Sequence, residues 1–182
     1  MKKEAEEHFQ DKYIRWFSEL GKKDVIEVGG KAANLGEMFN IHMPVPQGFA
    51  ITASAYKYFL EETGLDKQIY SLLNLDVENT KKLEETAKKI REMIEKAEMP
   101  KEMEKEIIEN YEHLGFNKEE LKHASSDALS ILRKQEPAFV AVRSSATAED
   151  SSEASFAGQQ ETFLNIKGKF NLIESVKKCW AS

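Results

Sequence analysis

A run of small and hydroxylated residues limits what the last third of this chain can form. Residues 144–158 read SSATAEDSSEASFAG, and the apolar stretch FVAV stands at 139–142. That stretch predicts a short buried strand ending at Arg143. The small residues after it cannot fill a core, but their N–H groups and hydroxyls can approach an anion, and arginine offers phosphate a fixed fork of donors. An isolated Arg-Ser-Ser is more often a surface loop with a structural arginine. The choice between a surface loop and an anion site therefore depends on the sequence upstream.

A glycine pair upstream supplies a second candidate anion site. Gly29 and Gly30 precede Lys31, and a helix is predicted to begin near Ala32. Glycines let the backbone approach a ligand without a Cβ, and a helix start favours phosphate through its N–H groups and partial positive charge. The pattern is not a Walker A loop, because Ala32 stands where that motif has Ser or Thr. By spacing alone, a plain turn is the favoured interpretation.

The block from residue 13 to 64 is predicted to alternate short extended stretches with helices. Extended structure is expected at 13–17, 25–28 and 49–51. The helix from Ala32 would bury one apolar face, formed by Leu35, Met38 and Phe39. A second helix would start at a Thr52 or Ser54 cap and end at Gly64 in the left-handed conformation.

The segment 66–136 is predicted to be mainly helical, with no residues that suggest chemistry. A first apolar face steps by three and four through Leu83, Ala87, Ile90, Ile94 and Ala97, with Asn79 as its expected cap. A second face follows Pro100 and consists of Met103, Ile107, Tyr111 and Leu114. Asn117 and Glu120 predict the capping box of a third helix. The many charges here are interpreted as solvated helix surface.

The last block, 137–182, continues past the loop with a predicted strand at 163–166, a turn at Gly168 and a helix over 172–180. The chain stops inside that helix, which leads us to expect a shortened form of a longer protein. Such a form would expose sheet edges and apolar faces, so self-association into a homo-oligomer is also expected.

Composition excludes several functional classes. No apolar run approaches the roughly 20 residues needed to cross a bilayer, and the first residues lack the apolar core of a secretory signal. Net charge is −6, and block 137–182 holds five basic and five acidic residues. This distribution offers no basic stripe for nucleic acid. The single cysteine, Cys179, cannot form an internal disulfide, so a reducing, cytoplasmic location is expected.

Three stretches carry a resemblance to a known family. They are VGGKAANLGEM, MPVPQGFAITASAYKYFLEETGL and AVRSSATAEDSSEASFAGQQETFLNI. Together they resemble the N-terminal ATP-binding domain of phosphoenolpyruvate synthase and its relatives, which include pyruvate phosphate dikinase and the rifamycin-type antibiotic phosphotransferases. The similarity runs from about residue 13 to the end and is loose between 66 and 137. It implies an α+β fold, the first part of an ATP-grasp-type domain with a mainly helical middle segment.

The resemblance also implies which residues would meet ATP. Lys31 and Arg143 become the expected phosphate contacts and catalytic residues. The other expected nucleotide contacts are Ser144, Ser145, Thr147, Gly158, Gln159, Gln160 and Thr162. The Mg²⁺ ligands of the family are expected outside this chain, so the loop acids Glu149, Asp150 and Glu153 are interpreted as solvated.

The implied function is the ATP-binding part of a pyruvate, water dikinase-type phosphotransferase. In that reaction ATP, pyruvate and water give AMP, phosphoenolpyruvate and phosphate through a phosphohistidine on another domain. The isolated chain is expected to be inactive, its partners being ATP and the remaining domains. Two alternatives stay open: a rifamycin-type antibiotic phosphotransferase, and a nucleotide-binding module without catalysis.

Overall fold

The computed structural model describes residues 13–73, 80–114, 136–147 and 161–182. The strands within them are β1 (Ile14–Trp16), β2 (Phe49–Ile51), β3 (Val140–Arg143) and β4 (Thr162–Ile166). The helices are α1 (Val25–Asn40), α2 (Ala53–Glu62), α3 (Leu65–Leu72), α4 (Thr80–Lys96), α5 (Lys101–Glu112) and α6 (Lys169–Ala181). This mixture of helices and small sheets confirms the α+β class.

The strands form two separate antiparallel pairs. Strand β1 pairs with β2, and β3 pairs with β4 across a register irregularity between Val140 and Val142. Strand β3 was predicted to be buried but is only partly buried. Val140 and Val142 are half-buried, and Phe139, just before the strand, is 68% exposed. The prediction was wrong on this point because only one face of the β3–β4 pair packs, and it packs on α6.

The stretch at 25–28 is helical, so the prediction of an extended segment was wrong. Helix α1 starts at Val25, and Gly29 interrupts it with φ 79° and ψ 164° before the helix resumes. Strand propensity is a weak preference that tertiary contacts override. Here the Arg15 guanidinium donates to the Glu27 carboxylate at 2.8 Å and anchors this first turn to β1.

The second half of α1 buries small residues in place of the predicted apolar face. Ala32, Ala33 and Gly36 are buried, whereas the predicted Leu35, Met38 and Phe39 are half-buried. The reason is a close approach to the turn before the helix. A Cβ on Gly36 would lie 2.5 Å from the Leu20 Cβ, a spacing that only glycine allows.

Three predicted helix-boundary signals are confirmed, whereas the last helix begins at Lys169, three residues before its predicted start. The Thr52 hydroxyl caps α2 by accepting from the Ala55 N–H at 3.2 Å. Gly64 follows α2 with φ 65°, and Pro100 directly precedes α5. The expected caps Asn79 and Asn117–Glu120 lie outside the described residues.

One main core joins β1, α2, α5, α6, the start of α3 and the C-terminal end of α4. Its buried members are Tyr13, Ile14, Trp16, Ala55, Phe59, Leu65, Ile94, Met99, Met103, Ile107, Tyr111, Leu172, Ile173, Val176 and Ala181. The predicted face of α5 is confirmed by Met103, Ile107 and Tyr111. On α4 only the C-terminal part of the predicted face is buried, since Leu83 is 44% exposed.

The Tyr111 side chain ties this core to the β3–β4 pair. Its hydroxyl donates to the Ala138 carbonyl at 2.6 Å and accepts from the Gly168 N–H at 3.0 Å. One bond holds the chain just before β3, and the other holds the turn that starts α6. A single buried phenol therefore fixes both β3 and α6 relative to α5.

Replacing Tyr111 with Phe removes both hydrogen bonds and leaves the Gly168 N–H and Ala138 carbonyl unpaired. We expect Tyr111→Phe to lower the free energy of unfolding by about 1–3 kcal/mol, since each of the two lost hydrogen bonds contributes roughly 0.5–1.5 kcal/mol net. Urea unfolding followed by circular dichroism measures the change. Tyr70→Phe is the matched control, because Tyr70 is 81% exposed. Equal free energies of unfolding for the two variants would contradict the role of the Tyr111 hydroxyl in holding β3 and α6.

Candidate functional site

The two predicted anion-binding stretches lie against each other. The Gly30 N–H donates to the Ala146 carbonyl at 3.2 Å, and the Ala32 N–H donates to the Ser145 hydroxyl at 3.0 Å. The residues joined in this way are more than 100 positions apart in the chain, since the second bond spans 113. The Gly-Gly-Lys loop and the Arg-Ser-Ser loop are therefore held directly against each other by hydrogen bonds.

Gly29 makes this contact sterically feasible. Its φ of 79° and ψ of 164° fall in a region that is essentially restricted to glycine. A Cβ there would lie 2.5 Å from both the carbonyl carbon and the hydroxyl oxygen of Ser145. Both the backbone conformation and the close approach thus require glycine.

The helix start after Gly29 contributes fewer amides to a ligand than its sequence suggests. Helix N-termini bind phosphate through N–H groups that lack an intrahelical acceptor. Here the amides of Gly30 and Ala32 already donate to the Arg-Ser-Ser loop. A ligand at this site would therefore meet mainly side chains.

Lys31 and Arg143 line one cleft of about 720 Å³. Lys31 lies on α1 and is half-buried, whereas Arg143 ends β3 and is exposed. Within the described part of the chain, no carboxylate pairs with Arg143. The structure thus brings the two predicted cations to the same cavity, as a shared phosphate site requires.

The remaining predicted contacts divide into three groups. Ser144 and Ser145 line the cleft; Thr147 and Thr162 are exposed and lie outside its lining. Gly158, Gln159 and Gln160 lie outside the described residues, as do the acids Glu149, Asp150 and Glu153. The Ser144 hydroxyl oxygen is buried and has no hydrogen-bond partner among the residues the structure describes.

Apolar side chains that sequence reasoning did not assign to the site form much of the cleft wall. They include Tyr56, Tyr111, Leu172, Val176 and Trp180. The Trp180 ring packs on Tyr56 and Phe59, with centroids 5.2 and 4.9 Å apart. Their apolar periodicity indicated a core, and nothing in it distinguished a cavity wall from a filled interior.

Cys179 also lines the cleft. Burial, and secondly the negative charge of Glu161, raises the pKa of its thiol to about 11. The thiol is therefore protonated at neutral pH, and a protonated thiol is a poor nucleophile.

The described residues contain neither a candidate metal site nor a candidate membrane span. No group of three or more His, Cys, Asp or Glu side chains there is arranged to hold a metal ion. None of the helices in the described ranges is long and apolar enough to cross a membrane.

The described residues form an α+β domain in which two loops meet at one cleft, an arrangement that fits the class of nucleotide-binding domains. Family comparison is more specific. Residues 25–182 match the family described as pyruvate phosphate dikinase, AMP/ATP-binding domain, and the chain belongs to this family.

Curated relatives point the same way. The chain is 51% identical over 174 residues to a probable phosphoenolpyruvate synthase of Staphylothermus marinus, covering 95% of this chain and 19% of the relative. It is 49% identical to a probable phosphoenolpyruvate synthase of Methanocaldococcus jannaschii, covering 94% and 13%. It is 46% identical to the phosphoenolpyruvate synthase of Helicobacter pylori, covering 94% and 20%. The chain thus spans a fifth or less of the length of these three relatives.

The geometry at Gly29 predicts an unusually costly alanine substitution. Gly29→Ala combines a disfavoured backbone conformation, about 1–3 kcal/mol, with a clash against backbone atoms of Ser145. Gly64→Ala is the matched control, because Gly64 also has positive φ but a Cβ added there would have no atom within 4 Å. In urea unfolding, Gly29→Ala should lose clearly more stability than Gly64→Ala. Equal losses would show that the loops do not meet at Gly29.

Proposed function

We propose that the cleft binds the polyphosphate of ATP, and that the chain is the ATP-binding part of a phosphoenolpyruvate synthase-like phosphotransferase. The proposal rests on the hydrogen-bonded contact between the two loops, since Lys31 and Arg143 then line one cavity. The names of the relatives support phosphoenolpyruvate synthesis over antibiotic phosphorylation.

Electrostatics supports this role for the two cations. A unit charge about 4 Å from another contributes on the order of 4 kcal/mol at an effective dielectric of 20, before desolvation. Two such contacts suffice to hold a triphosphate and to offset charge that develops during phosphoryl transfer. The rigid guanidinium would bind two phosphate oxygens together, and the lysine ammonium would act as a compact charge.

Hydroxyl groups beside the cations complete the proposed phosphate site. A buried hydroxyl without a partner costs about 1–3 kcal/mol, and a phosphate oxygen would give Ser144 such a partner. We also assign phosphate contacts to Thr147, Gly158, Gln159, Gln160 and Thr162. Of these, Thr147 and Thr162 are exposed, and the other three lie outside the described residues.

For the whole protein we propose the reaction of ATP, pyruvate and water to AMP, phosphoenolpyruvate and phosphate. A histidine on another domain would carry the phosphoryl group from ATP to pyruvate. Mg²⁺ would neutralise part of the triphosphate charge, held by carboxylates that this chain does not provide. The partners are then the other domains of the complete enzyme, in the cytoplasm.

Removing either cation should weaken ATP binding. We expect Lys31→Ala and Arg143→Ala each to raise the Kd for ATP about tenfold or more, as for loss of a charged hydrogen bond worth about 1.5–3 kcal/mol. Isothermal titration with and without Mg²⁺ measures the Kd.

Lys57→Ala and Arg91→Ala are the matched controls for this experiment. Both side chains are exposed and lie outside the cleft lining, so their removal should leave the Kd unchanged. An ATP affinity insensitive to Lys31 and Arg143, or no binding by the unaltered chain, would refute the assignment.

The 182-residue chain alone should not catalyse the proposed reaction. The proposed phosphohistidine and pyruvate steps belong to parts of the longer relatives that this chain does not match. With ATP, pyruvate and Mg²⁺, we expect no phosphoenolpyruvate or AMP above the enzyme-free rate. The phosphoenolpyruvate synthase of Helicobacter pylori, assayed alongside, serves as the positive control. Phosphoenolpyruvate formation by the short chain would contradict the proposal that these steps need other parts of the complete enzyme.

A further inference from the structure

We propose that Ser145 is a positioning residue: it caps the second half of α1 across the chain and thereby fixes Lys31 relative to Arg143. The inference rests on the proposed function for its consequence, but its structural basis is independent of any ligand. It reassigns Ser145, which sequence reasoning had placed among the phosphate contacts.

The contact has the geometry of a helix N-cap. After Gly29 breaks α1, the helix resumes at Gly30, so Ala32 is its third residue. A capping side chain normally comes from the residue before the helix and accepts from the second or third N–H. Glycine at that place has no side chain, and the Ser145 hydroxyl accepts from the Ala32 N–H at 3.0 Å in its stead.

Glycine and serine in this arrangement depend on each other. A side chain on Gly29 would occupy the space of the Ser145 hydroxyl, because a Cβ there would lie 2.5 Å from the hydroxyl oxygen. The neighbouring bond from the Gly30 N–H to the Ala146 carbonyl orients the serine backbone for the cap. The helix start is thus completed by a residue from the loop that carries Arg143.

Lys31 lies between the two amides held in this way. Its backbone position is set on one side by Gly30 bound to Ala146 and on the other by Ala32 bound to Ser145. Arg143 stands two residues before Ser145, at the end of β3. Loss of the cap would therefore release the backbone of one cation relative to the other, without removing either charge.

Amide hydrogen exchange of the 182-residue chain, resolved by NMR, tests the cap directly. We expect Ser145→Ala to accelerate exchange at Ala32 about five- to tenfold, in keeping with loss of one hydrogen bond, with little change at Ile107 in α5. Ser145→Thr should restore slow exchange, because it keeps the hydroxyl. Ser71→Ala, on the exposed side of α3, should have no effect. Unchanged exchange at Ala32 in Ser145→Ala would overturn the proposal.

A double-mutant cycle on ATP affinity distinguishes positioning from direct phosphate contact. If Ser145 acts through Lys31, Ser145→Ala should raise the Kd severalfold alone but add little once Lys31→Ala is present. Full additivity of the two changes would mean that Ser145 touches the phosphate itself, which overturns the positioning role. If Lys31→Ala alone leaves the Kd unchanged, the proposed function fails, while the exchange result still decides the cap.

Discussion

The candidate site depends on the hydrogen-bonded contact that Gly30 and Ala32 make with Ser145 and Ala146. The strand pairs β1–β2 and β3–β4 form separate sheets, so within the described residues no continuous sheet sets the position of α1 relative to β3. The loop contact does so through a backbone bond at Gly30 and a side-chain cap at Ala32. Gly29 permits the approach, because other residues avoid its backbone conformation and a Cβ there would clash with Ser145.

This constraint also determines how the cleft can treat an anion. Two of the amides that a helix start would normally offer, those of Gly30 and Ala32, are committed to holding the loops together. The long side chains of Lys31 and Arg143 are therefore the main groups that can reach a ligand. Burial in the apolar wall disfavours negative charge; burial, and secondly the Glu161 charge, raises the pKa of the Cys179 thiol. In the proposed complex the polyphosphate therefore lies at the two cations, and the apolar wall remains for uncharged parts of a ligand.

The sequence allowed prediction of those features whose causes are local. The Thr52 cap, the Gly64 helix end and the apolar face of α5 each depend on a few neighbouring residues, and the structure confirms them. The extended stretch at 25–28 was wrong: these residues form the first turn of α1, and its contact with Arg15 of β1 through Glu27 is not visible in the local sequence. The convergence of Lys31 and Arg143 was predicted through the family resemblance. The pairing of Gly29 with Ser145 could not be, because nothing local in either loop specifies a partner more than 100 residues away.

Strand β3 illustrates how the fold positions a functional side chain with little burial. Val140 and Val142 are only half-buried, and β3 packs on α6 through one face, so apolar area alone gives this strand modest support. Hydrogen bonds hold it from both ends instead: Tyr111 binds Ala138 just before it, and Gly30 binds Ala146 just after it. Arg143 therefore stands on a short segment fixed at two points, and its guanidinium can face the cleft while its backbone is held by the core on one side and by the glycine loop on the other.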